Sequence, residues 1–165
     1  SIDMNGNQIN GIYTSNSHQP SSEWQLHSYI LQKRSEINAI IHCHSTNATA
    51  IACHGREIPP FHYMTALAGG DNIRCAEYAT FGSAKLSHNA IKALQGRYAC
   101  LLAQHGQVTI ASNLEKALKL AIEVENLSNI YLKSFQLGEP KIINQTEMKK
   151  VLDKIKSLNY DQSNS

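Results

Sequence analysis

Apolar residues recur along this chain in two rhythms. Short unbroken runs, at 39–41 and 99–103, have the length and aliphatic content of strands buried on both faces. Between 114 and 137 the spacing lengthens, and Leu118, Ala121, Ile122, Val124, Leu127, Ile130 and Tyr131 trace one stripe of a long helix. The pattern predicts a helix from Pro20-Ser21-Ser22-Glu23 to about Ser35, a strand over 38–44 and a helix over 47–53. A loop with two prolines follows at 59–64, then one helical turn over 65–68 halted by Gly69-Gly70. Further on come a strand over 73–76, a loop over 78–82, a helix over 84–95, and strands over 99–103 and 107–111. The long helix and a last one over about 147–158 complete the order.

Local signals punctuate this plan. Ser22 with Gln25, and Ser112 with Glu115, have capping-box spacing. Ser45 or Thr46 and Ser83 are candidate caps, and Gly55, Gly96 and Gly138 are candidate helix ends. The polar opening over 1–17, with its Asn5-Gly6 turn, reads as an edge hairpin and not as the start of a domain. The mixture predicts an α/β domain with helices packed on a sheet, and 165 residues suffice for one domain, 1–165, with a real core.

Charge narrows the function classes. Fifteen basic residues oppose thirteen acidic ones, and no basic run exceeds Lys149-Lys150, so neither nucleic acid nor a membrane surface is an expected partner. The apolar runs are too short to span a bilayer, and the N-terminus lacks a basic-then-apolar leader, so the expected location is cytoplasmic. Four cysteines without a C-x-x-C pair read as reduced core or near-core thiols, with Cys43 facing away from its two flanking histidines.

Those histidines carry the chemistry. In the segment Ile40-Ile41-His42-Cys43-His44, residues two apart share a strand face, so both imidazoles project from one strand end as two ligands of one metal must. His105, followed by Gly106, is a candidate third ligand, although a lone histidine at a strand end is more often a hydrogen-bonded structural group. Glu23 is a candidate fourth group, able to fill an open metal position and then act as base. On the residues alone, a solvated carboxylate at a helix N-terminus is its commoner role.

Several blocks occur in a telling order: Pro20-Ser21-Ser22-Glu23-Trp24, 39–44, Ile58-Pro59-Pro60-Phe61-His62-Tyr63-Met64, Ala68-Gly69-Gly70, Tyr78-Ala79-Thr80-Phe81-Gly82, Gln104-His105-Gly106 and 113–118. Over about 21–157 the chain resembles the class II aldolase/adducin family. The resemblance implies a three-layer αβα fold, with a central, mainly antiparallel sheet covered by helices. It implies one zinc ion per subunit on His42, His44 and His105, with Glu23 binding zinc at rest and exchanging protons with substrate. Ser21 and Ser22 would hold a phosphate, and Phe81 would form a wall of the substrate pocket. Tyr63 would donate a proton across a subunit boundary in a homotetramer whose active sites lie at the interfaces.

The implied reaction is cleavage of a small-molecule sugar phosphate, L-fuculose 1-phosphate or a related ketose 1-phosphate, to dihydroxyacetone phosphate and L-lactaldehyde. Two departures stand out. Family members carry roughly fifty further N-terminal residues holding much of the phosphate site, so the chain reads as lacking that part. Tyr160 falls slightly out of register with the family's tail tyrosine at the substrate pocket. Within the family, 4-epimerase, dehydratase and decarboxylase activities share the histidines, and an adducin-like interaction module is the non-catalytic alternative. The Tyr63 and 78–82 blocks favour the aldolase.

Overall fold

In the computed structural model, residues 2–7 and 20–158 are described. Four strands form one sheet in the order β1-β4-β3-β2, with β1 Ala39–Cys43, β2 Cys75–Ala76, β3 Ala99–Leu102 and β4 Gly106–Ala111. The β1–β4 and β3–β4 pairings are antiparallel, and β2 runs parallel to β3. The sheet is therefore mainly antiparallel, as expected.

The pleat sorts side chains into two cores. Cys100, Leu102, Val108 and Ile110 pack with Leu26 and Ile30 of α1 (Trp24–Lys33) and with Leu86 and Ala90 of α3 (Ala84–Ala93). Ala99 and Leu101 point the other way, onto Ala48 and Ile51 of α2 (Thr46–Ala52) and Val124 and Leu127 of α4 (Leu114–Ser134). Helices thus cover both faces, and the three-layer expectation holds. Each fully buried Leu or Ile contributes about 1.5–3 kcal/mol. Polar strand residues on the second face are matched to α4, where Gln107 Nε2 and Thr109 Oγ1 donate to the carbonyls of Ala121 and Ala117 at 3.2 and 2.9 Å. A last helix, α5 (Gln145–Ser157), buries Met148.

Several local expectations are corrected. The Ser22–Gln25 capping box does not form: α1 begins at Trp24 with Glu23 at its cap position and no side-chain cap bond. For α4 the cap is Asn113, whose side chain accepts from the Lys116 N–H at 2.9 Å, one residue beyond the predicted Ser112. Ser83 caps α3 as predicted, accepting from Leu86 N–H at 3.2 Å. The predicted stripe on α4 is only partly inward. Ala121, Val124, Leu127 and Tyr131 are buried, but Leu118, Ile122 and Ile130 are exposed, because the buried face is narrower and turned toward Ala117 and Ser128. Cys53 is also exposed, since it lies just past the end of α2. Of the predicted edge hairpin over 1–17, residues 2–7 are described, with Asp3 accepting from the N–H groups of Asn5 and Asn7. The rest lies outside the described residues.

The start of α2 uses a partner distant in sequence. Ser45 makes no cap bond, because its hydroxyl instead accepts from Gln107 Nε2 at 2.7 Å. The free N–H groups of Asn47 and Ala48 donate to the Glu125 carboxylate of α4, each at 2.9 Å. Burial pushes the Glu125 pKa up, but these amides outweigh it and hold the carboxyl below its ordinary value. A carboxylate from one helix thereby fills the cap of another, just after the strand that leads into His44.

Candidate metal centre

The end of the sheet that carries the β3–β4 turn brings the predicted histidines together. His42 pairs with Val108 across the ladder, and its Nδ1 lies 2.9 Å from the Gln107 carbonyl. An Nδ1–H donated there leaves the Nε2 lone pair for the site, and Nε2 is buried without a hydrogen-bond partner. His44 follows one residue past the strand and is exposed. Beside it, a Cβ on Gly106 would stand 2.5 Å from the Cys43 carbonyl oxygen and 2.9 Å from the His44 ring, so only glycine permits this approach.

His105 is set by a tight turn after β3. Its N–H donates to Leu102 O at 3.0 Å, while Ala103 and Gln104 N–H donate to Ala76 and Ala52 carbonyls at 3.0 and 2.9 Å. The turn is thus tied to both β2 and α2. Gln104 has φ +56°, the one non-glycine residue with positive φ among those described, a conformation that costs an L residue roughly 1–2 kcal/mol.

The three imidazoles stand with ring centroids 4.7–5.0 Å apart, and one nitrogen from each lies within 4.8 Å of the others. A four-coordinate zinc with its usual bonds separates its ligands by about 3.3 Å, so small ring rotations bring these donors onto an ion. The orphaned Nε2 of His42 and the all-imidazole donor set fit such a metal. Electrostatics agree. Burial, then the fields of His42 and His44, pushes His105 down to about 4. Burial likewise lowers His42, partly offset by its bond to Gln107. Both rings are neutral at pH 7, the form that ligates metal.

Glu23 is 7% exposed, which overturns the solvated-carboxylate role. Its Oε1 accepts from Gly82 N–H at 3.1 Å, and its Oε2 is buried without a partner. Gly82, at φ +69°, approaches so closely that a Cβ would sit 2.9 Å from Ser22 O. One further histidine lies nearby: His27, one helical turn after Glu23, is lowered by burial and by His42, with Glu23 opposing.

A cavity of about 520 Å³ holds these groups together, lined by Ser21, Ser22, Glu23, the three histidines and Phe81. Its volume suits a small ligand. Ser21 also accepts from Glu23 N–H at 3.2 Å. Tyr63 is not brought to its own chain's cavity; it opens a 3₁₀ turn, Tyr63–Ala68, and is 53% exposed. Tyr160 lies outside the described residues. Cavity residues to which the sequence assigned no role in the site are Cys43, expected to face away from the histidines, and Tyr78, Ala79 and Gln104. Tyr78, Ala79 and Gln104 all lie within blocks that carry the family resemblance, but no pattern in the sequence marks the conformation of Gln104.

Known proteins bear on this geometry. The Class II Aldolase and Adducin N-terminal domain matches residues 1–132. The 5-methylthioribulose-1-phosphate/5-deoxyribulose-1-phosphate aldolase of Rhodospirillum rubrum is 49% identical over 138 residues, covering 84% of this chain and 62% of that enzyme. The L-fuculose phosphate aldolase of Escherichia coli K12 is 43% identical over 157 residues, covering 94% and 70%. A solved L-fuculose 1-phosphate aldolase superposes with a TM-score of 0.86 at 43% identity, over 94% of this chain and 70% of that one. The chain thus spans a little over three-fifths of the first of these relatives and about seven-tenths of the others.

Proposed function

Since the chain belongs to the class II aldolase and adducin family, we propose that it is a zinc-dependent aldolase acting on a ketose 1-phosphate. The observation that carries this reading is one cavity holding three imidazole donors within 4.8 Å and a buried carboxylate with one oxygen free. A metal on His42, His44 and His105, one per subunit, would supply Lewis-acid polarisation of the substrate's carbonyl and adjacent hydroxyl.

The chain's own groups perform the rest. Ser21 and Ser22, in the turn before α1, offer hydroxyls and helix-end amides to the phosphate. In cleavage the C4 hydroxyl loses its proton and C4 becomes the aldehyde. The C3–C4 electron pair moves toward the C2 carbonyl. Glu23 then delivers a proton to C3, giving dihydroxyacetone phosphate; in synthesis it removes that proton. Its two oxygens suit this division, because Gly82 N–H pins Oε1 and leaves Oε2 to exchange the proton. Phe81, 66% exposed on the cavity rim, provides an apolar wall.

Tyr63 exchanges the proton at the aldehyde oxygen from a neighbouring copy. Its exposure outside its own cavity supports an assembly, a homotetramer in this reading, that carries it into the next one. The relatives' names divide between L-fuculose phosphate and 5-methylthioribulose or 5-deoxyribulose 1-phosphate, which supports a ketose 1-phosphate as the substrate class. The test is coupled detection of dihydroxyacetone phosphate from each substrate by the zinc-loaded chain. Glu23→Gln should keep zinc and lose at least about 100-fold in turnover, and His105→Ala should lose stoichiometric zinc. Turnover undiminished in Glu23→Gln would remove Glu23 from the chemistry, and product of a different class would point to the epimerase, dehydratase or decarboxylase alternatives. Stoichiometric zinc retained by His105→Ala would remove that ligand.

A further inference from the structure

Gln104 occupies the third position of the turn Leu102-Ala103-Gln104-His105, closed by His105 N–H on Leu102 O. At φ +56° this position favours glycine or asparagine, which adopt such a backbone with little strain. A glutamine there retains a strained backbone that the turn itself does not need. Its side chain does nothing for the fold: it is exposed and makes no hydrogen bond among the described residues. Yet it lines the same cavity as Ser21 and Ser22, immediately before the third histidine. Strain held at a site, with a free polar side chain at its end, is a signature of function.

We infer that the Gln104 carboxamide is a substrate-reading group that hydrogen-bonds a hydroxyl of the bound sugar's carbon chain. A carboxamide presents both a donor and an acceptor without charge. That matches a hydroxyl, which is also both, better than a phosphate dianion, for which the serine-bearing helix start is suited. The inference rests on the ketose-phosphate reading above and deepens it, because it assigns discrimination among chain hydroxyls to a residue outside the metal ligands and Glu23.

The test is calorimetric binding to the zinc-loaded chain, with L-fuculose 1-phosphate and inorganic phosphate as the two probes. Gln104→Gly removes the side chain while suiting the backbone. It should retain full zinc stoichiometry, melt a few degrees higher, and bind the sugar phosphate about three- to tenfold more weakly, the loss of one neutral hydrogen bond. Inorganic phosphate should bind it as it binds the unaltered protein, and Gln104→Asn should recover part of the sugar affinity. Equal sugar affinity in Gln104→Gly would overturn the role. A parallel loss for inorganic phosphate, or lost zinc, would do so as well, by showing that the residue acts on the phosphate or on the turn alone. Unaltered protein that binds zinc but not the sugar phosphate would sink the ketose-phosphate reading together with this one; sugar bound equally by both proteins would sink only the assignment of Gln104.

Discussion

Replacing Glu125 by alanine separates the scaffold of the site from its chemistry. The carboxylate receives Asn47 N–H and Ala48 N–H at 2.9 Å each, and Asn47 Nδ2 at 2.7 Å. Removing it leaves the first turn of α2 without a side-chain acceptor, a cap loss worth about 1 kcal/mol. The bonds are also made to a charged group, worth about 1.5–3 kcal/mol apiece in buried settings and less here, where the carboxylate is half-buried. A combined loss of about 2–4 kcal/mol is expected, which lowers the melting temperature of a chain this size by roughly 5–12 °C.

The pH dependence gives an independent check. The folded carboxyl titrates below its unfolded value of 4.5, so its contribution is fully present above pH 4.5 and is lost as pH falls through the folded pKa. Thermal unfolding followed by circular dichroism should therefore show the gap between parent and Glu125→Ala at pH 7 and its closure in acid. A gap under about 1 kcal/mol at pH 7, or one that persists unchanged below the folded pKa, would refute the capping role.

Two other substitutions probe neighbouring features. Gly106→Ala drives a methyl to 2.5 Å from the Cys43 carbonyl, so the end of the β1–β4 ladder must part. We expect about 1–3 kcal/mol of destabilisation and a marked loss of zinc affinity, both measurable by titration and melting; zinc bound as in the parent would show the ladder yields without moving His44. Ser83→Ala removes the acceptor for Leu86 N–H and should cost about 1 kcal/mol, with zinc content unchanged; a melting temperature equal to the parent's would deny the cap its role.

The course of the chain was legible wherever one local rule governed. The runs at 39–41 and 99–103 became β1 and β3 because both faces of the sheet are covered, and Ser83 became a cap because nothing competes for its hydroxyl. Where tertiary partners intervene, local reading failed. Ser45 has the backbone of a cap, but Gln107 claims its hydroxyl and Glu125 takes over its function. Apolarity alone predicts a stripe on α4 that is too wide: polar Ser128 is buried through its bond to Val124 O while Leu118 and Ile122 face outward.

The site divides in the same way. His42 and His44 follow from strand period alone. The convergence of His105 needs the β3–β4 turn, and the burial of Glu23 depends on Gly82, 59 residues away. No local pattern encodes either. The strain at Gln104 is invisible in sequence because glutamine carries no preference for positive φ.

The spacing of the ligands also has a kinetic meaning. His42 reaches its orienting carbonyl on Gln107 across 65 residues of sequence, and its neighbour His105 lies almost as far along the chain. Closing a loop of that length precedes the reward of the contacts it allows, so the three imidazoles meet only once β1 has zipped onto β4. Neither apolar cluster includes any of them. A metal held by these rings would thus arrive late in folding and would not be its nucleus. In a refolding experiment, the moment of zinc capture would mark the completion of the sheet.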